Sequence, residues 1–188
     1  MPRAGLSPDL VVELALTLVD EKGLEALSLA AVADRAGVAA PSLYKHVGSL
    51  ADLRDLMALQ ILREATAAFT EVVMGRSRDD AVAALMRAYR TYVVTHPGRY
   101  ALVPLDPMHR VDLAAAAGEL LDVFSAVLRG YGLDESAAVH ATRRIRVAAH
   151  GFADLEAGGG FGLAEDIDTT YEQVIAMVVA GLPRGSTT

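Results

Sequence analysis

The chain has 188 residues, of which 53% are hydrophobic and 22% are charged, so it is long and apolar enough to bury a core. It contains no cysteine, which excludes disulfide bonds, thiolate metal sites and thiol nucleophiles. The formal net charge of −7 argues against bulk nucleic-acid binding, because phosphate affinity comes mostly from Lys and Arg.

Several long segments repeat apolar residues at helical spacing, which predicts an all-α protein with about nine helices. No segment has the uncharged length that is needed to span a bilayer, and the N-terminus lacks the apolar run of a signal peptide. We therefore expect a cytoplasmic protein that does not associate with a membrane.

Capping signals set the predicted helix boundaries. Ser7, followed by proline and aspartate, begins the first helix, which closes at Lys22-Gly23. The other helices are predicted over residues 28–37, 40–47, 49–74, 82–93, 99–105, 113–128 and 134–156, with a last helix that Asp166 or Asp168 caps. The Gly75–Arg78 break separates two predicted domains, 6–66 and 77–182.

Residues 28–47, SLAAVADRAGVAAPSLYKHV, indicate two short helices joined by a tight turn. Gly37 permits the sharp turn, and Leu43 and Val47 are spaced to pack inward. The second helix carries hydroxyl, phenol, amine and imidazole groups, which suit insertion into a DNA major groove. The segment therefore predicts a DNA-binding helix-turn-helix.

Residues 6–56 resemble the TetR family of bacterial repressors. The likeness rests on the first helix, the Ala33–Val38 turn, Leu43-Tyr44-x-His46-Val47 and Leu53. It implies that side chains of the second helix clamp the DNA backbone and that Lys45 contacts a guanine edge or a phosphate. The predicted DNA-binding residues are Ser28, Arg35, Ala39, Ala40, Ser42, Tyr44, Lys45 and His46.

Two departures from the family pattern bear on affinity and specificity. Leu50 stands where the family often has a lysine, which removes one phosphate contact. Ala30, Ala39 and Ala40 stand where relatives often place base-reading polar side chains, so specificity would rest on Lys45, on methyl contacts and on DNA deformability. An N-terminal arm with Arg3 is a further expected contact. Taken singly, Arg35, Tyr44 and His46 also fit ordinary helix residues.

Residues 146–156 with 159–163 resemble the effector domain of TetR-like regulators named for a Trp-His-Gly signature. Ala149 replaces the tryptophan, His150-Gly151 remains, and the His96–Tyr100 segment also fits. The resemblance implies a helical ligand-binding and dimerisation domain without identifying a ligand.

The last two helices have apolar faces that a monomer would not hide easily, so we expect a homodimer through them, with close helix approach at Gly151. Paired recognition helices would then read a palindromic site. A pocket for a hydrophobic or aromatic effector would lie among the middle helices. Its candidate lining residues, each also explained by core packing, are Met86, Tyr89, Tyr92, Tyr100, Met108, Phe124, Arg143, His150 and Phe152.

We expect neither a cofactor nor catalysis. The spacing of His96, His109 and His150 does not support a metal site, and the chain has no nucleophile elbow, Walker loop or HExxH motif. The leading hypothesis is a repressor whose effector shifts it from a DNA-binding to a DNA-released state. The alternatives are a dimeric small-molecule sensor without specific DNA binding and an all-α enzyme.

Overall fold

A computed structural model describes residues 6–183. This part of the chain consists of helices and the loops that connect them, and it contains no strand. The α-helices are α1 (Pro8–Lys22), α2 (Leu29–Ala36), α3 (Leu50–Val73), α4 (Arg78–Thr95), α5 (Pro97–Tyr100), α6 (Ala114–Leu128), α7 (Glu135–Ala157) and α8 (Ile167–Ala180). Short 3-10 helices lie at Leu24–Ala26, Ala40–Lys45, Pro107–His109 and Arg129–Tyr131. The all-α prediction is confirmed. The eight α-helices of the described residues and the 3-10 helix at Ala40–Lys45 together correspond to the nine predicted helices.

Besides α3, four helices begin with a side-chain cap where the sequence predicts the helix to start. Ser7 Oγ accepts from the Leu10 amide at 3.2 Å, and Asp134 Oδ1 accepts from the Ala137 amide at 2.7 Å. At the last helix, Asp166 Oδ2 accepts from the Thr169 amide at 2.7 Å, which makes Asp166 the cap. The fourth cap is Ser28, at the start of α2.

The structure differs from the prediction at two short helices. The helix expected over residues 99–105 is instead the single turn α5, because Pro104 disfavours helical geometry at the residue before it. The helix expected over residues 40–47 is a 3-10 helix, in which Pro41 supplies no amide and the Ser42 amide donates to the Ala39 carbonyl at 2.8 Å.

Contacts divide the chain into two compact units. The first contains residues up to Arg63 together with Gly98–Ala117, and the second contains Glu64–Pro97 together with residues from Gly118 onward. Residues 98–117 thus group with the first unit, although they lie within the predicted domain 77–182. Gly98 explains this locally, because a Cβ there would lie 2.8 Å from Cγ1 of Val19, and the neighbouring Arg99 pairs with Asp20.

Each unit has its own apolar interior. The buried residues of the first include Val11, Ala15, Val19, Val32, Leu43, Val47, Leu53, Met57, Ile61 and Leu113. Those of the second include Phe69, Val82, Leu85, Met86, Tyr89, Phe124, Ile145, Phe152, Tyr171 and Ile175. None of the helices described is both long and apolar enough to cross a membrane. Arg3, the expected N-terminal arm contact, lies outside the described residues.

Candidate functional site

The turn between α2 and the 3-10 helix is built by Gly37. Its φ of 67° and ψ of 31° are left-handed, a conformation that glycine adopts without a steric penalty. The next amide, of Val38, donates to the Ala33 carbonyl at 3.0 Å, and the Gly37 amide donates to the Asp34 carbonyl at 3.0 Å. These bonds satisfy carbonyls at the end of α2 and fix the direction in which the chain leaves it.

The 3-10 helix is anchored by its apolar residues. Leu43 is completely buried and Val47 is nearly so, as the spacing predicts. Tyr44 is 59% exposed, Lys45 is also exposed, and Ser42 and His46 are half-buried. Lys45 forms no ion pair with any residue that the structure describes. The buried side chains therefore hold a short helix whose phenol and amine are presented to solvent.

Arg35, a predicted DNA contact, is engaged within the protein. Its Nη1 and Nη2 donate to the two carboxylate oxygens of Glu21 at 2.7 and 2.6 Å. These hydrogen bonds hold the pKa of Glu21 below its ordinary value and raise the pKa of Arg35. The planar two-point pair ties α2 to α1.

The start of α3 is closed by the chain's own side chains. Ser49 Oγ accepts from the Asp52 amide at 3.0 Å, and Asp52 Oδ2 accepts from the Gly48 amide at 2.8 Å. Ser49 therefore caps α3, and the Asp52 side chain binds the amide one residue before the cap. Leu50, which stands where the family often has a lysine, lies half-buried in the first turn. The helix start therefore carries a carboxylate instead of an added cation.

The predicted ligand-domain residues fall into both units. Tyr100 and Met108 belong to the first unit, and the other seven belong to the second. Of the seven, four are buried (Met86, Tyr89, Phe124 and Phe152), Tyr92 and His150 are half-buried, and Arg143 is exposed.

An aromatic row follows α4 within the second unit. The ring of Phe69 stacks on that of Tyr89 with a centroid separation of 5.7 Å and meets the edge of Tyr92 at 6.4 Å. Tyr92 lies 5.5 Å from the ring of His96. The row combines apolar ring faces with polar ring atoms, and its rings pack directly against one another.

Arg90 forms a charged cluster that the sequence did not reveal. Its guanidinium donates to both carboxylate oxygens of Glu156 at 2.5 and 2.7 Å and pairs with Asp168 at 2.7 Å. It also lies 5.0 Å from the ring centroid of Tyr171 and 5.6 Å from that of Phe152. The cluster joins α4 to α7 and α8. The sequence does not show that Arg90 and Glu156 meet, since 66 residues separate them.

The same cluster borders a cavity of about 460 Å³. It is lined by Arg87, Arg90, Thr91, Val94, Thr95, Glu156, Asp168, Tyr171 and Glu172, none of which the sequence singled out as ligand-binding. Tyr171 donates to the Met86 carbonyl at 2.6 Å, and burial raises the pKa of its phenol.

The outer faces of α7 and α8 carry exposed apolar side chains. Val147 is 71% exposed and Met177 is 66% exposed, and Leu155 is also exposed. Gly151 lies on the same side of α7 as Val147, one turn along, and a Cβ on it would meet no atom within 4 Å. These faces are the ones that the sequence assigns to a dimer interface.

Comparison with known proteins covers both halves of the chain. The family model for bacterial regulatory proteins of the tetR family matches residues 11–55, and the model described as the tetracyclin repressor-like C-terminal domain matches residues 82–178. The second match includes the His150-Gly151 pair on which the sequence resemblance rests. Both models describe transcriptional regulators and not enzymes.

Two relatives and one solved structure extend the match over nearly the whole length. The HTH-type transcriptional regulator Rv0681 of Mycobacterium tuberculosis is 38% identical over 98% of this chain and 85% of its own. YobS, an HTH-type transcriptional regulator of Bacillus subtilis, is 31% identical over 96% of this chain and 95% of its own. The structure of the TetR family protein ActR from Streptomyces coelicolor, in complex with (S)-DNPA, superposes with a TM-score of 0.70 at 22% identity, covering 95% and 98% of the two chains.

The full-length relatives, the matched family models and the geometry of residues 28–47 agree. The anchored 3-10 helix after the Gly37 turn is the second element of a helix-turn-helix, and the match to the family's C-terminal domain covers residues 82–178. The chain therefore belongs to the TetR family and is a DNA-binding transcriptional regulator.

Proposed function

We propose that this regulator is a homodimeric repressor that binds a palindromic operator and is released by a small hydrophobic or aromatic effector. The observation that carries the proposal is the geometry of residues 28–47, which we call the reading head. In this segment buried Leu43 and Val47 fix a short helix that presents Tyr44 and Lys45 to solvent. The working domains are residues 6–66 for DNA binding and residues 77–182 for ligand binding and dimerisation.

The DNA contacts are assigned by chemistry and exposure. Hydroxyl and imidazole groups donate hydrogen bonds to phosphate oxygens, a role we give to Ser28, Ser42, Tyr44 and His46. Lys45 contacts a phosphate or a guanine edge, and Ala39 and Ala40 face the bases. In place of the expected DNA contact, we give Arg35 a structural role, which we call bracing: it holds α2 against α1. Both of its terminal nitrogens are bonded to Glu21 of α1.

Dimerisation through α7 and α8 would bury the apolar faces that carry Val147, Leu155 and Met177. These apolar side chains are exposed in the single chain, and Gly151 leaves room for a neighbouring helix. A two-fold pair presents two recognition helices to successive major grooves, which accounts for a palindromic operator.

The effector site is proposed along the aromatic row of α4, with Tyr89 and Tyr92 as ring contacts and with Arg143 or His150 as polar anchors. The row supplies aromatic ring faces and polar ring atoms, and the fold is shared with ActR, which was solved in complex with (S)-DNPA. An effector that binds the DNA-released state more tightly shifts the population toward release.

The experiment is fluorescence anisotropy of the full chain with the intergenic DNA beside its gene, or with DNA selected from a random pool, against scrambled competitor. Tyr44→Ala removes an exposed side chain and should abolish specific binding without unfolding the protein. Val111→Ala is the matched control, because Val111 is 94% exposed and lies in the same unit but outside the reading head. Unchanged binding by a folded Tyr44→Ala dimer would refute the assignment.

A further inference from the structure

The residues that the proposed function and the family resemblance place against the bases, together with the neighbouring Pro41, are apolar. Ala30 is exposed in the first turn of α2, and Ala39 and Pro41 are exposed where the 3-10 helix begins. Ala40, between them, is half-buried. All four side chains end in carbon, so they can neither donate a hydrogen bond to a base edge nor accept one from it.

Side chains that read purines through paired hydrogen bonds are almost absent here. Residues 28–47 contain no asparagine or glutamine, and their single arginine, Arg35, is held at both terminal nitrogens by Glu21. Lys45 is the other residue of this segment with a long cationic side chain. Recognition of purines by paired hydrogen bonds is therefore limited to Lys45 in this segment.

We propose that Ala30, Ala39, Ala40 and Pro41 select operator half-sites through the C5-methyl groups of thymine. In the major groove thymine is the unmodified base that presents a methyl group, and small apolar side chains are its contact partners. The inference rests on the proposed operator binding, and it names the chemical feature that the reading head recognises. A cytosine methylated at C5 presents the same group with a different hydrogen-bonding edge, so the test separates the two sources.

The experiment selects an operator from random DNA with the full-length protein and then replaces thymines by deoxyuridine. Each replacement removes a methyl group and leaves every base-pairing and groove hydrogen bond in place. At least one symmetric pair of replacements should weaken binding about fifteenfold, from about fourfold per methyl group in each half-site. The slope of affinity against salt concentration should stay unchanged, because no phosphate contact is lost.

A second set of measurements tests whether Pro41 makes the contact with the thymine methyl group. Pro41→Ala should weaken binding to the thymine operator about fourfold per half-site, and by less than about twofold on the deoxyuridine operator, because the methyl partner is already absent. Val111→Ala should bind both operators like the parent protein. A separate operator with 5-methylcytosine in place of thymine should bind more weakly than the thymine operator if the neighbouring hydrogen-bond pattern also matters.

The outcomes are distinguishable. If every deoxyuridine operator binds within about twofold of its parent, or if selected half-sites lack thymine, the methyl proposal is overturned while operator binding stands. If 5-methylcytosine binds as well as thymine, the methyl group is recognised but thymine is not, and the commitment to thymine is wrong. If no DNA sequence is selected at all, both this proposal and the proposed function fail.

Discussion

The bracing role of Arg35 is the most discriminating expectation of the structure, because the alternative is a direct phosphate contact. Both terminal nitrogens of its guanidinium donate to Glu21 in a two-point pair between α2 and α1. Arg35→Ala should therefore weaken operator binding by loosening α2, without removing a charge that contacts DNA.

The size of the effect on salt dependence follows from counterion release. Each phosphate neutralised by a cation contributes about 0.9 to the slope of log affinity against log salt, and a dimer doubles this to about 1.8. Between about 50 and 200 mM salt, a slope difference of about 1.8 changes relative affinity about twelvefold. A bracing arginine should leave the slope within about 0.3 of the parent value.

The assay is anisotropy with the selected operator at four salt concentrations, using Arg35→Ala, Glu21→Ala and the double variant. Under the bracing role, the two single variants weaken binding to a similar degree and the double variant is no weaker than either. Lys45→Ala serves as the cation control. A slope lowered by about 1.8 in Arg35→Ala, with normal binding by Glu21→Ala, would show that Arg35 contacts phosphate after all.

Three further predictions concern the second unit. Arg90→Ala leaves the half-buried Glu156 without its partner and should lower the free energy of unfolding by roughly 2–3 kcal/mol in urea titrations, and an unchanged midpoint would contradict this. Because burial raises the pKa of Tyr171 in the folded state, the folded protein holds that proton more tightly; stability should fall as pH rises above about 10, and Tyr171→Phe should remove this part of the loss. Met177→Asp should weaken the dimer roughly a hundredfold by placing two carboxylates in the interface, and light scattering that still shows a dimer at micromolar concentration would refute the α7–α8 assignment.

Local signals carried most of what could be predicted from the sequence. The side chains of Ser7, Ser28 and Asp134 cap their helices by accepting hydrogen bonds from amides three residues further along the chain. Gly37 takes the left-handed conformation that ends α2. These features depend on neighbours in the chain, so composition and spacing are enough to find them. The short helices were harder, because Pro41 converts the recognition helix into a 3-10 turn.

The pairs that cross between helices could not be predicted. Glu21 and Arg35 meet because α1 and α2 fold against each other, and Arg90 meets Glu156 across 66 residues. Any exposed arginine in a helix-turn-helix resembles a DNA contact until its partner is known. The assignment of residues 98–117 to the first unit has the same origin, since it rests on the approach of Gly98 to Val19.

The net negative charge of the chain is compatible with DNA binding if the reading head makes few ionic contacts and several neutral hydrogen bonds to the DNA. Among the described residues of the helix-turn-helix, Arg35 is paired and the start of α3 carries the Asp52 carboxylate, so Lys45 is the cation left for the DNA. In the proposed operator complex, Ser28, Ser42 and Tyr44 would contact phosphates through neutral hydroxyls, which release few counterions. Operator affinity should therefore depend less on salt than in regulators that use six to ten basic contacts, and sequence discrimination should depend on the fit of an apolar surface to the groove.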